Sequence, residues 1–309
     1  MPPFMMEQLL FARPQEWHAV TKRMNKIAVS KLMHPVYIET LKSFAKYIGF
    51  EITFITADGD RTNAEELKKH ADESACIIVQ SPNYLGTIED LETLAAEKKS
   101  SVFVHVITEA ASLGLLKKPG NMGVDICCGE AQSFGNHMGF GGPHLGFMAT
   151  DKIFMRKLPG RIVGESVDRH GNRTLTLTLR PREQDIRREK ATSNICTNNG
   201  NAMLRAVIYL ALMGKKGLRE VAVQSFDKAH YLAEKCQERG FELVNKNPFF
   251  NEFTIKITGS TKDLQKKMLV KGYVILDISS EGMLILSATE MNSKKSIEDF
   301  VFALSEVTK

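Results

Sequence analysis

Val102-Phe103-Val104-His105-Val106-Ile107 is an almost unbroken apolar run in which β-branched residues hold four of six positions. A strand with one face in water alternates apolar and polar residues, so a run with a single polar member predicts a strand buried on both faces. Working outward, Cys76–Gln80 upstream and Val124–Cys128 downstream read the same way, and Ile27–Ser30 and Ile52–Thr56 complete the set. Helical patterns lie between them. Ile38, Leu41, Phe44 and Ile48 recur at i, i+3, i+6 and i+10, and Asn63–Ala71 and Ile88–Lys98 follow as further helices. This β-α-β-α succession predicts an α/β domain built on a mainly parallel sheet covered on both faces.

Beyond residue 128 the character changes. Glycines crowd the chain as far as Gly146, and a charged stretch, Arg180–Lys190, follows. Apolar helical patterns resume at Asn201–Met213 and Leu218–Arg239. A compact β-α-β-β-α pattern closes the chain at Phe253–Ile257, Lys262–Lys271, Tyr273–Ile278, Met283–Ser287 and Ile297–Val307. The expected division is a large α/β domain over residues 1–215 and a small C-terminal α+β domain over 216–309.

Composition excludes several classes of function. The 309 residues carry 41 basic and 36 acidic side chains, a net charge of +5, which is too even a balance to imply nucleic acid as a partner. No apolar run reaches the length of a membrane span, and the opening Met1-Pro2-Pro3-Phe4 lacks the basic-then-apolar build of a signal peptide. Five cysteines, two of them adjacent, do not make a disulfide framework, and the expected location is the cytoplasm.

Gly129-Glu130-Ala131-Gln132-Ser133-Phe134-Gly135 directly follows the strand ending at Cys128, where open parallel sheets place ligand loops. The stretch carries neither a dinucleotide nor a P-loop fingerprint. Ala131-x-Ser133-x-Gly135 is one residue from the G-x-S-x-G elbow of hydrolases, but Gly135, Gly139, Gly141, Gly142 and Pro143 break the helix that the elbow requires. Cys127 and Cys128 at the end of a buried strand point to opposite faces, so with His137 and His144 they read as packed thiols and loop histidines rather than a metal centre. Ala191-Thr192-Ser193-Asn194-Ile195-Cys196-Thr197-Asn198 gathers small polar residues ahead of the helix at Asn201, a composition suited to an anion such as phosphate. His34-Pro35 stands just after the first strand, where a side chain can face a ligand crevice.

Several of these stretches together resemble one family. Gly160-Arg161-Ile162-Val163-Gly164-Glu165 and the sixteen positions from Arg182 to Thr197, with Ser112-Leu113-Gly114-Leu115-Leu116, Phe140-Gly141-Gly142-Pro143 and Pro248-Phe249-Phe250-Asn251-Glu252-Phe253, are similar in order and spacing to the P-protein of the glycine cleavage system, in particular to the first subunit of its two-subunit form. The resemblance runs from about residue 26 to the C-terminus. It implies the fold of fold-type I pyridoxal-phosphate-dependent transferases. It also implies a share in glycine decarboxylation, with aminomethyl transfer to the lipoyl H-protein.

In that family the second subunit carries the lysine that binds pyridoxal 5'-phosphate. Where the cofactor-bearing chain has a His-Lys pair, this chain has Gln132-Ser133, and serine forms no imine. The acid that faces the pyridine nitrogen aligns with Glu109, one methylene longer than aspartate. The resemblance therefore implies a catalytically silent half that completes its partner's site, with Thr192, Ser193, Asn194 and Thr197 directed to the partner's cofactor. His34, Glu109 and Ser133 lie at or near the lost cofactor position. The other reading of the same resemblance is an inactive structural or regulatory remnant that binds the second subunit. Only about 25 residues precede Ile27–Ser30, fewer than the family usually has there. The expectation that follows is an N-terminally incomplete large domain that self-associates or is marginally stable without its partner.

Overall fold

The computed structural model describes residues 24–139, 141–158, 160–179, 184–191, 199–275 and 282–308. Strand β1 (Lys26–Ser30) runs into helix α1 (Pro35–Ile48), whose first turn accepts Pro35 because the N–H it lacks has no partner there. Gly49, in the left-handed conformation, ends the helix, and β2 (Glu51–Ile55) follows. A tight hairpin of β3 (Ala57–Asp58) and β4 (Arg61–Thr62) leads to α2 (Ala64–Ala71), capped by Asn63, whose side chain accepts from the Glu66 N–H at 3.0 Å. Then come β5 (Cys76–Gln80), α3 (Leu91–Ala96), β6 (Val102–Ile107), β7 (Ile126–Glu130) and β8 (Gly146–Thr150).

These strands form a six-stranded sheet in the order β2-β1-β5-β6-β7-β8, parallel throughout except that β8 runs antiparallel to β7. Alternate residues of each strand serve opposite faces. Ile27, Val29, Ile78, Val104, Val106 and Cys128 pack with Leu41 and Ala45 of α1. Ala28, Ile77, Val79 and Phe103 pack with Leu67 and Ala71 of α2 and with Leu91 and Leu94 of α3. Burial on both faces is what the apolar strands require. The adjacent cysteines follow the same rule: Cys128 belongs to the α1 face, and Cys127 packs on the other.

A hairpin of β9 (Ile162–Val167) and β10 (Arg173–Thr178) and the short α4 (Gln184–Arg187) precede α5, which runs from Gly200 to Glu238. The two helical patterns in this stretch meet at Gly214, whose φ of 59° breaks the regular backbone. The first half of α5 sets Ala206 and Tyr209 against Ala110, Ala131 and Phe134. The second half sets Ala229, Leu232, Ala233 and Cys236 into a separate apolar cluster with β11 (Glu252–Lys256), α6 (Thr261–Val270), β12 (Met283–Ser287) and α7 (Lys294–Thr308). Strands β11 and β12 pair antiparallel. The strand expected at Tyr273–Ile278 does not form over residues 273–275, and 276–278 lie outside the described residues. The Ile275 carbonyl accepts from Gln265 Nε2 at 2.8 Å instead of joining a ladder.

The loop at 81–89 is sewn to the segment 245–254. Asp60, in the β3–β4 turn and only 3% exposed, accepts from the Thr87 hydroxyl at 2.9 Å, the Lys246 and Asn247 N–H groups at 2.9 and 3.0 Å, and Asn247 Nδ2 at 2.6 Å. Asn245 Nδ2 donates to the Leu85 carbonyl at 2.9 Å and to Thr87 Oγ1 at 2.7 Å, and the Ile88 N–H donates to the Pro248 carbonyl at 2.8 Å. Gly86, at φ +90°, is required in this seam: a Cβ there would lie 2.1 Å from the Glu252 carbonyl oxygen. Burial pushes the Asp60 carboxyl up, but the donors from Asn247, Thr87 and Lys246 together outweigh it and hold the group below the usual aspartate value. Asp60 thus contributes stability that is present above the unfolded pKa of about 3.9 and is lost as pH falls through the folded value. Asp60→Asn, which keeps the shape and removes the charge, should cost about 2–3 kcal/mol in chemical denaturation at pH 7. A loss below half a kilocalorie would show that the seam does not depend on this carboxylate.

Candidate functional site

The C-terminal ends of parallel strands point their free loops into a common crevice, and three of the expected site residues stand at such ends. His34 follows β1. Its N–H donates to Gln80 Oε1 at 2.8 Å, and its Nδ1 accepts from the Val36 N–H at 3.2 Å, capping α1. The ring stacks on Tyr37 with centroids 4.8 Å apart and meets Tyr84 edge-on at 5.1 Å. Burial lowers the pKa of His34, so the neutral ring that accepts from Val36 is the favoured form.

Glu109 lies two residues past β6. Its Oε1 accepts from the Ala111 N–H at 2.8 Å, which starts the 3-10 turn Ala110–Gly114, and the nearby Ser133 hydroxyl favours its charged form. Burial raises the pKa of Glu109, and the nearby Glu290 and Glu130 carboxylates add to the rise. Ser133 is exposed and sits in a turn after β7, with no helix behind it. The next helical turn begins at Lys152, which removes the geometric basis of a hydrolase elbow. Thr192, Ser193, Asn194 and Thr197 lie outside the described residues.

Sequence reasoning missed the other groups of this crevice. Glu130 ends β7, and its Oε1 accepts from the Gln132 and Leu145 N–H groups at 3.0 and 2.8 Å. Its Oε2 lies 3.5 Å from His144 Nδ1, and neither of these buried atoms has a hydrogen bond among the described residues. Tyr37 has a raised pKa, first through burial and then through Glu130, Cys128 and Glu252. Tyr209, from α5, stacks with Phe134 at 6.4 Å and is raised by burial, Glu290 and Glu109. Glu252, at the start of β11, is pushed up to about 7 by burial and by the charge of Glu109. The only hint of Glu252 in the sequence was its place in Pro248–Phe253; nothing local marks a residue that becomes unusual through neighbours about 140 positions away.

The crevice is therefore lined by carboxylates, phenols, an imidazole and a hydroxyl. Such a set can hold or exchange protons, because burial raises both Glu252 and Glu109 above the ordinary carboxyl value. It does not fit covalent attachment of pyridoxal phosphate. Ser133 offers a hydroxyl, which forms no imine with an aldehyde.

The fold and this edge of the sheet define a class: the α/β fold of the fold-type I pyridoxal-phosphate-dependent enzymes. Aspartate aminotransferase from Thermus thermophilus shares the fold, with a TM-score of 0.65 over 96% of this chain and 82% of that one at 15% identity. The family model for the glycine cleavage system P-protein matches residues 15–304, and the chain belongs to that family. A probable glycine dehydrogenase (decarboxylating) subunit 1 from Staphylococcus carnosus is 41% identical over 293 residues, 92% of this chain and 65% of the relative. The chain thus spans just under two thirds of the length of such curated relatives. The crystal structure of glycine decarboxylase (P-protein) of the glycine cleavage system, in inhibitor-bound form, superimposes with a TM-score of 0.89 at 38% identity, covering 98% of this chain and 68% of that one.

A folded-state pKa raised from the ordinary value of about 4.3 means that the folded protein holds the Glu252 proton longer than the unfolded chain does. The associated stability is complete below about pH 4.3 and is lost as pH rises through 7. Thermal melts from pH 4.5 to 8 should record a decline worth up to about 3 kcal/mol at Glu252, and Glu252→Gln should remove that share and raise the melting temperature at pH 8. Superimposable pH profiles of the two proteins would refute the assignment.

Proposed function

We propose that this chain is the non-lysine subunit of a glycine dehydrogenase (decarboxylating), completing the site of a cofactor-bearing second subunit for glycine decarboxylation and aminomethyl transfer to the lipoyl H-protein. The observation that carries this reading is Ser133. It stands at the crevice end of β7 in a chain of the P-protein family, where its hydroxyl can bond Glu109 but cannot form an imine. The same reading places pyridoxal 5'-phosphate on the partner, where it supplies the electron sink for loss of the carboxyl group. It also treats residues 1–215 and 216–309 as a large and a small domain.

The roles left to this chain are binding and orientation. Glu109, held by the Ala111 N–H, and His34, held by Gln80 and Val36, keep fixed positions beside the crevice. Thr192, Ser193, Asn194 and Thr197 supply hydroxyl and amide donors toward the partner's cofactor phosphate. An association surface supports the partner. Leu204, Val207, Ile208 and Leu212 form a stripe at helical spacing on the first half of α5, and each is at least half exposed. Val163, Val167, Leu175 and Leu177 on the β9–β10 hairpin add further exposed apolar area.

Glycine–bicarbonate exchange should be absent from the chain alone, with or without pyridoxal phosphate, and should appear when a cognate second subunit is co-expressed with it. A stable complex with no exchange would identify an inactive scaffold and overturn the proposal, as would a borohydride-fixed adduct on one specific lysine of this chain. A charge-assisted hydrogen bond to phosphate is worth roughly 1.5–3 kcal/mol. Ser193→Ala should therefore weaken cofactor retention in the complex by roughly ten- to a hundredfold. Unchanged retention across alanine variants at 192, 193, 194 and 197 would reduce that segment to a helix cap.

A further inference from the structure

On the Phe103 face of the sheet, away from α1, a cavity of about 120 Å³ opens between β6, α3 and the 3-10 turn at Ala110–Gly114. Its walls are apolar at Ile88, Leu91, Leu113, Leu116 and Met122, and polar at Ser81, Glu89, His105 and Ser112. The polar members are all deeply buried, with His105 only 5% exposed. His105 stands two residues beyond Phe103 and so shares its face. Its Nε2 lies 2.9 Å from the Ser81 carbonyl oxygen, which can only accept, so the proton sits on Nε2 and Nδ1 presents a bare lone pair. Among the described residues no group reaches Nδ1. A buried acceptor left without a donor costs about 1–3 kcal/mol.

Glu89 and Ser112 are already committed. Glu89 accepts from the Thr62 N–H and hydroxyl and from Asn83 Nδ2, and the Ser112 hydroxyl donates to the Glu109 carbonyl at 2.6 Å. Ser81 Oγ accepts from the Glu89 N–H at 3.1 Å and keeps its own proton to give. At the rim, Lys117 is paired with Glu92. A charged guest would leave water without finding an uncommitted counter-ion.

We propose that this cavity binds a small neutral molecule carrying one O–H or N–H donor on a short apolar body, with the donor taken by Nδ1 of His105. The volume corresponds to roughly four water molecules, or one compact molecule of a few heavy atoms. Short-chain alcohols and primary amides have this chemistry. The burial that holds the ring neutral, with a pKa of about 4, keeps the lone pair available at neutral pH. Occupancy would also brace the turn that carries Glu109, because Ser112 links the cavity wall to the Glu109 carbonyl. None of this requires a second subunit.

The test uses the full chain labelled with ¹⁵N-histidine, with propan-2-ol and acetone as probes of equal size, of which only the first has a donor. The Nδ1 resonance of His105, assigned by its loss in His105→Gln, should shift saturably with propan-2-ol in the millimolar range and should not shift saturably with acetone. Leu113→Trp, which fills the cavity from the 3-10 turn, should abolish the response while the protein still melts cooperatively. Equal responses to both probes, a linear unsaturating drift, or a response that survives in Leu113→Trp would overturn the proposal. So would a crystal soaked in propan-2-ol that shows only water against Nδ1.

Discussion

The architecture depends on two buried carboxylates that no cation neutralises among the contacts described, Asp60 and Glu89. Each is solvated by protein donors instead of water: hydroxyls, side-chain amides and backbone N–H groups. Burying a carboxylate is costly unless several charge-assisted hydrogen bonds replace its hydration, so each acid dictates the position of every donor around it. Asn83 joins the two, since its Nδ2 donates both to the Asp60 carbonyl at 2.9 Å and to Glu89 Oε1 at 2.9 Å. The loop at 81–89 is therefore held as a rigid piece. It faces the cavity at His105 through Ser81, and segment 245–254 through Leu85 and Thr87. The position of Glu252 in the crevice is a consequence: the close approach at Gly86 fixes the backbone of β11 against this loop.

The class of fold was legible because burial on both faces is written directly into strand composition. Val102–Ile107 and Cys76–Gln80 leave no polar face for water, and a sheet so covered must be mainly parallel with helices on either side. Asn63 was equally readable as the start of α2, since its side chain satisfies a backbone donor that the helix leaves open. The helix expected at Ile88–Lys98 shortens to Leu91–Ala96, because Ile88 and Glu89 are taken by the seam and Asp90 caps the first turn. The division between two helices near Gly214 left no gap in the hydrogen-bonded run, although the glycine does break the φ/ψ sequence.

The crevice was less legible, for a physical reason. His34, Glu109 and Ser133 can be placed because each directly follows a strand, so position along the chain implies position in space. Glu130 reads in the sequence as one polar residue in a glycine-rich loop, yet its significance lies in His144 and Tyr37, which approach it from a later loop and an earlier helix. Glu252 depends on the meeting of β11 with the 81–89 loop, and Glu290 on its hydrogen bond from Ser225 at 3.2 Å. A sequence carries the identity of an acid, but not the distance between two acids that lie on different elements.

That distance governs the chemistry. Burial and the charge of Glu109 raise Glu252, and burial with Glu290 and Glu130 raises Glu109. An isolated buried acid could recover its charge by recruiting donors, as Asp60 does. Acids that face each other cannot all do so, because every donor that stabilises one leaves the mutual repulsion in place. A crevice of this kind settles its electrostatics either by keeping protons on its carboxyls near neutral pH or by receiving positive charge from outside the described residues.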